Sequence, residues 1–184
     1  MFRRLIGDLR ARGPLERGVS DVEALLERSL SEWPRDERLI SKQGGYTRTC
    51  AYRGAQFEVL LLNWAPGAVS PIHDHGDQHC WMLLLEGRLA VDDYVRRDAG
   101  DVPGFAQVEP CGYRLLEAGD IDLRSGRFDL HRVAAPGDRG AVSLHIYSHP
   151  LRSFLVYDES AQRCQSVRGT YDAFLSPYSE PVRR

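Results

Sequence analysis

The sequence predicts a mainly β protein, an antiparallel sandwich or barrel preceded by a short helical segment. Three observations carry that expectation. Helical periodicity is confined to residues 1–43. From Gly44-Gly45 onward, short runs of Tyr, Val, Leu and Phe alternate with turn clusters at Arg53-Gly54, Ala65-Pro66-Gly67, Ala99-Gly100-Asp101, Ala118-Gly119-Asp120 and Pro136-Gly137-Asp138. Short strands punctuated that regularly are the pattern of a sandwich or barrel. No internal repeat or low-complexity segment interrupts it, and the 184 residues are enough for one domain with a real core.

The elements follow in order. Residues 2–11 place Leu5, Ile6 and Leu9 on one side of a first helix. Val22, Leu25, Leu26 and Leu30 give a second, and Ser20-x-x-Glu23 has the form of a capping box. Pro34 suits a first helical position, so 34–42 is expected as a third short helix. Residues 44–164 are expected to form the barrel and 165–184 a polar strand or loop wrapping it. Phe128–Val133 reads as a strand that turns through Pro136–Gly140 into a hairpin with Ala141–Tyr147.

Composition excludes several classes. A net charge of −2 gives no footprint for nucleic acid or an anionic membrane surface. No apolar run reaches the roughly 20 residues that cross a bilayer, and the first twelve residues lack a signal peptide's apolar block. Cys50, Cys80, Cys111 and Cys164 have no tight spacing, so a reducing compartment, the cytoplasm, is expected rather than a disulfide framework.

The run from Pro71 to Cys80 carries the chemistry. Three of the six histidines, His73, His75 and His79, fall within it. In an extended chain His73 and His75 project to one face, as two ligands of one metal must. His79 has the wrong parity and is expected to be structural, and Asp74 and Asp77 to make turn hydrogen bonds. On 141–147 the two-residue period puts Ser143, His145 and Tyr147 on one face and Val142, Leu144 and Ile146 on the other. A buried Ser–His–Tyr row is costly unless each group finds a partner. The three are therefore expected to bond to one another and aim the tyrosine hydroxyl at a site. Tyr46 and Arg48, two apart, share a face, and a guanidinium is a two-pronged donor matched to a carboxylate.

Spacing adds a frame: Gly67-x5-His73-x-His75-x4-Cys80-x6-Gly87. It resembles the first motif of the cupins, with cysteine where most carry glutamate. That substitution resembles the thiol dioxygenase branch, and within it the cysteine dioxygenases. Ser143-x-His145-x-Tyr147 after Leu130-His131-Arg132-Val133, and Tyr46-Thr47-Arg48 upstream, are similar to the same family over about residues 44–158. The resemblance implies a cupin, a jelly-roll-type antiparallel β-barrel with an N-terminal helical segment. It implies His131 as third metal ligand beside His73 and His75, Arg48 as the group that binds the substrate carboxylate, and Tyr46 on the pocket wall. It implies a possible thioether between Cys80 and Tyr147. The tetrapeptide Tyr147-Ser148-His149-Pro150 departs from the family's usual Tyr-Ser-Pro-Pro.

Three neutral imidazoles suit divalent iron, zinc, copper or nickel alike. The resemblance implies Fe(2+), with L-cysteine and O2 as substrates, cysteine sulfinic acid as product, Tyr147 oriented by His145 and Ser143, and a monomeric protein. Two other readings stand beside it: a dioxygenase of another small thiol such as 3-mercaptopropionate, and a metal-binding cupin sensor without catalysis.

Overall fold

The structure, a computed structural model, describes residues 1–15, 20–34, 44–100 and 103–175, with the side chains of residues 20 and 21 outside that set. Two helices come first, α1 (Phe2–Arg12) and α2 (Ser20–Ser31). Leu5, Ile6 and Leu9 of α1 and Val22, Leu25 and Leu26 of α2 are buried, as their periodicity requires. The Ser20 side chain of the expected capping box, and residues 35–42 of the expected third helix, lie outside the described residues.

Among the described residues thirteen strands follow: β1 (Tyr46–Arg53), β2 (Glu58–Trp64), β3 (Ile72–His73), β4 (His79–Glu86), β5 (Arg88–Arg96), β6 (Gly104–Phe105), β7 (Val108–Glu117), β8 (Ile121–Ser125), β9 (Leu130–Ala134), β10 (Ala141–Tyr147), β11 (Ser153–Asp158), β12 (Arg163–Arg168) and β13 (Ala173–Phe174). They form two sheets, β13-β1-β2-β10-β4-β8 and β6-β12-β11-β3-β9-β5-β7. Every pairing is antiparallel except β1 with β13. This is the jelly-roll cupin arrangement. Among the described residues no ladder joins the two sheets, so the barrel is a flattened sandwich whose walls meet through side chains.

Alternation sorts the first sheet into two cores. Ala51, Val59, Leu61, Trp81, Leu83, Leu85, Val142, Leu144 and Ile146 face outward and pack with the buried residues of α1 and α2. Leu60, Leu62, Leu84 and Met82 face inward onto Leu89, Val91 and Val133 of the second sheet. Strand β10 is therefore buried on both faces along its whole length.

The expected hairpin between 128–133 and 141–147 does not form. β9 lies in the second sheet between β3 and β5, and β10 lies in the first between β2 and β4. The Pro136–Gly140 segment is thus an arch from one wall to the other. Proline, glycine and aspartate serve an arch as well as a hairpin; what decides is that β10, apolar on its outer face, needs a helix-covered position in mid-sheet. A second crossing is tighter. Gly87 alone separates β4 in one sheet from β5 in the other. Its φ is +83°, and a Cβ there would run into the Gly140 carbonyl and Ala141. Only glycine suits that corner.

Candidate active site

The two sheets bring His73, His75 and His131 together. His73 ends β3 and stands directly opposite His131 of β9 in the ladder. His75 lies two residues past the strand, in a loop pinned by Asp74. That buried carboxylate accepts from the Gly76 and Leu155 amides, each at 3.0 Å, and from the Tyr157 hydroxyl at 3.3 Å. The aspartate thus works as a local backbone anchor.

One nitrogen from each of the three rings lies within 4.8 Å of the other two. His73 Nε2 and His131 Nε2 are 3.2 Å apart. Two nitrogens bound at about 2.1 Å to one ion would be separated by about 3 Å. His73 Nδ1 is 3.0 Å from the Pro71 carbonyl, so it carries the proton and leaves the Nε2 lone pair free. His131 Nδ1 lies 3.8 Å from Asp122 Oδ2, and His75 Nδ1 is buried near the Asp129 backbone. Three imidazole nitrogens converging on one point suit a metal ion.

Electrostatics agree. Burial lowers the His73 pKa to about 4. His75 and His131 fall well below the ordinary histidine value, first through burial and then through neighbouring His73. All three rings are neutral, ligand-competent imidazoles at pH 7. Burial also lowers His145 to about 3. The unfolded chain, with histidines near 6.5, binds more protons in acid, so folding stability falls as pH drops below about 6.5 and goes on falling toward about 3. Thermal melts of chelator-treated protein should show a clear loss of Tm between pH 7.5 and pH 5.5. An unchanged Tm would contradict the buried neutral rings.

Across from the triad, on the first sheet, lies the polar row. Ser143 and His145 do bond, with the Ser143 hydroxyl donating to His145 Nε2 at 2.8 Å. Ser143 Oγ accepts from Trp64 Nε1 at 2.9 Å, and its own buried hydrogen has His145 Nε2 as its acceptor among the described residues. His145 therefore keeps its proton on Nδ1, which points at Cys80 Sγ, 3.8 Å away. Tyr147 stands directly opposite Cys80 in the ladder. The sequence placed His145 directly on Tyr147. Instead the two rings lie nearly parallel, 13° apart with centroids 6.2 Å apart, and His145 Nδ1 meets Cys80. Neighbours on one face of a strand are nearly 7 Å apart, whereas a cross-strand partner is about 5 Å away; Cys80 is that partner of Tyr147. Burial above all raises both the Cys80 and Tyr147 pKa values, so thiol and phenol stay protonated at neutral pH.

Tyr46 and Arg48 of β1 line the same cavity as the three histidines, His145, Cys80 and Tyr147. Tyr46 stacks on Trp64 at 4.7 Å. Among the described residues the Arg48 guanidinium has no ion pair. The cavity is small, with an internal volume of about 40 Å³.

Three lining residues escaped the sequence reading. Trp64 heads the hydrogen-bond row, although its composition and parity mark only core. Phe154 sets its ring edge-on to His73 at 5.8 Å. Arg124 is buried beside the cavity, bonded to Asp122, Asp93 and Asp129. Asp122-x-Arg124, charged at both inward positions of β8, was the available signal. His79 stays out of the cluster, its Nδ1 2.9 Å from Ser125 Oγ. Cys164 lies in a separate core under Ile72 and Tyr94, and all four cysteines are free.

Comparison with known proteins gives a consistent result. Residues 12–160 match the family model described as cysteine dioxygenase type I. The chain is 32% identical over 166 residues to "Cysteine dioxygenase type 1" of Danio rerio, covering 88% of this chain and 79% of that protein. It is 30% identical over 162 residues to the protein of the same name from Rattus norvegicus, covering 85% of this chain and 78% of that protein. The Homo sapiens protein of that name is 29% identical over 160 residues, with the same coverage of each chain.

Proposed function

This chain belongs to the cysteine dioxygenase type I family, and on that premise we propose that it is a ferrous thiol dioxygenase converting L-cysteine and O2 to cysteine sulfinic acid. The observation that carries the reading is the juxtaposition, in one cavity, of three neutral imidazoles and a guanidinium that has no ion pair among the described residues. The first suits a metal and the second a carboxylate, and a small amino thiol acid has a group for each.

His73, His75 and His131 would hold the iron, whose chemistry when bound is to activate dioxygen and favour the substrate's thiolate. The remaining work belongs to the chain's own side chains. Arg48 grips the carboxylate in a two-pronged pair, which fixes the distance from carboxylate to sulfur. The Tyr46–Trp64 stack, Leu62, Leu151 and Phe154 keep that end of the cavity apolar and limit water. Tyr147, its phenol kept protonated by burial, presents a hydrogen-bond donor to charge that develops on the reacting oxygen atoms. Trp64, Ser143 and His145 form a bonded row that ends at Cys80, the cross-strand neighbour of Tyr147.

Cys80 and Tyr147 are direct neighbours in adjacent strands and line one cavity, which supports formation of a thioether during turnover. A bond from Cys80 Sγ to a ring carbon of Tyr147 releases two hydrogens, with dioxygen as the two-electron oxidant. Peptide mass spectrometry after repeated turnover should show the two peptides joined and lighter by two hydrogens. Unjoined peptides would remove the crosslink from the proposal.

The reading also takes the chain as a cytoplasmic monomer. No helix among the described residues is long and apolar enough to cross a membrane, and the free cysteines suit a reducing compartment. The deciding experiment is oxygen uptake by the iron-loaded protein with L-cysteine, 3-mercaptopropionate and cysteamine in parallel, with the sulfinate identified. L-Cysteine should be the fastest. A preference for 3-mercaptopropionate would reassign the substrate, and no uptake with any thiol would favour a sensor.

A further inference from the structure

Arg48 is held from behind by a segment the proposed chemistry does not use. β1 is the edge of the first sheet except where β13 covers it. The Arg48 amide and carbonyl both point to that edge, away from β2, and both are taken by one residue. The Arg48 amide donates to Asp172 Oδ2 at 2.7 Å, and the Asp172 amide donates to the Arg48 carbonyl at 2.9 Å. One residue later the chain joins β1 in parallel, with the Leu175 amide donating to the Cys50 carbonyl at 2.9 Å. The neighbouring Tyr171 ring lies under the Arg48 guanidinium, 5.9 Å from ring centre to Cζ. That ring is itself fixed: its hydroxyl donates to Glu58 Oε2 at 2.6 Å, and Glu58 is wholly buried and paired in the ladder with Tyr147.

An arginine is a long side chain with many rotamers, and ordering it on binding weakens the grip on a ligand. The backbone clamp fixes where the side chain starts, and the Tyr171 ring, which also meets Arg53 at 5.5 Å, gives the guanidinium a preferred resting place and so reduces that freedom beforehand. We infer that Tyr171 and Asp172 are positioning residues for Arg48, and that through it they set the preference for thiols bearing a carboxylate. The inference rests on the proposed role of Arg48 as carboxylate anchor. It assigns the segment 171–175 a part in specificity, although none of its atoms reaches the metal-binding cluster.

The test is equilibrium binding by calorimetry under nitrogen, using the iron(II)-loaded full chain with L-cysteine and with cysteamine, which has the same thiol and amine but no carboxylate. Asp172→Ala and Tyr171→Leu should each weaken L-cysteine about tenfold, the scale of one net hydrogen bond, and leave cysteamine within about twofold. Asp172→Asn, which keeps an acceptor oxygen for the Arg48 amide, and Tyr171→Phe, which keeps the ring, should restore most of the affinity. They also keep the test decisive should the harsher variants fold poorly. Arg48→Ala is the benchmark. If it weakens L-cysteine while the Tyr171 and Asp172 variants do not, the positioning role is overturned and the anchor stands. Equal loss of both ligands in those variants would also overturn it, as a structural effect. If Arg48→Ala itself leaves L-cysteine binding intact, the anchor reading falls.

Discussion

Arg48→Ala should cost about two orders of magnitude in kcat/KM for L-cysteine, carried mostly by KM. A guanidinium paired with a carboxylate makes two charge-assisted hydrogen bonds, each worth about 1.5–3 kcal/mol. Losing both removes roughly 3 kcal/mol or more of binding, and each 1.4 kcal/mol is about a factor of ten. The loss is expected in KM because the carboxylate is remote from the sulfur and is held equally before and during reaction. Cysteamine should be affected little. Steady-state oxygen uptake checks both statements, and similar small effects on the two thiols would take Arg48 out of the site. Arg48→Lys should recover only part of the loss, since an ammonium offers a point charge and not a planar fork.

The second large effect is on stability. Arg124 is 4% exposed and reaches three carboxylates: Asp122 through Nε at 2.7 Å, Asp93 through Nη1 at 2.7 Å, and Asp129 through Nη1 at 2.9 Å. Asp122 is equally buried, and its remaining cationic partner among the described residues is Arg114, at 2.7 Å. Replacing Arg124 by leucine would leave a buried carboxylate short of countercharge, which costs about 3–5 kcal/mol. For a chain of this size that is a fall in Tm of roughly 10 °C. The disturbance should reach the metal as well. Asp122 is the carboxylate nearest His131 Nδ1, and groups that orient a ligand histidine typically govern about 10–100-fold of metal affinity. Denaturant titration together with chelator competition measures the two effects. A change below about 1 kcal/mol would mean that Asp122 has found water or Arg114 sufficient.

Local periodicity made part of this molecule readable in advance. His73 and His75 converge as their spacing requires, and Ser143, His145 and Tyr147 share one face because a strand has a period of two. The helices over 2–12 and 20–31 carry their apolar stripes openly. What could not be read were contacts made between strands distant in the chain. Nothing in Pro136–Gly140 distinguishes an arch from a hairpin, because either takes the same turn residues. The role of Cys80 between His145 and Tyr147 depends on the β4–β10 register, and register is a property of two strands. Trp64 resembled any core tryptophan until its indole N–H was found on Ser143. The Asp172 clamp on Arg48 joins residues 124 apart in sequence.

The arch also has a consequence for how such a site can be adjusted. The metal-binding histidines stand on or beside one sheet, and the Ser–His–Tyr row stands on the other. No strand ladder spans the gap among the described residues; Leu60, Leu62 and Leu84 meet Leu89, Val91 and Val133 across it. The reach from Tyr147 to the reacting atoms is therefore a matter of side-chain volume, like the thickness of a gasket between two plates. Close-packed interiors yield little, so trimming or adding a methylene among those six residues would move one plate against the other by a fraction of an ångström. Reactivity could then be retuned by residues that carry no chemistry of their own.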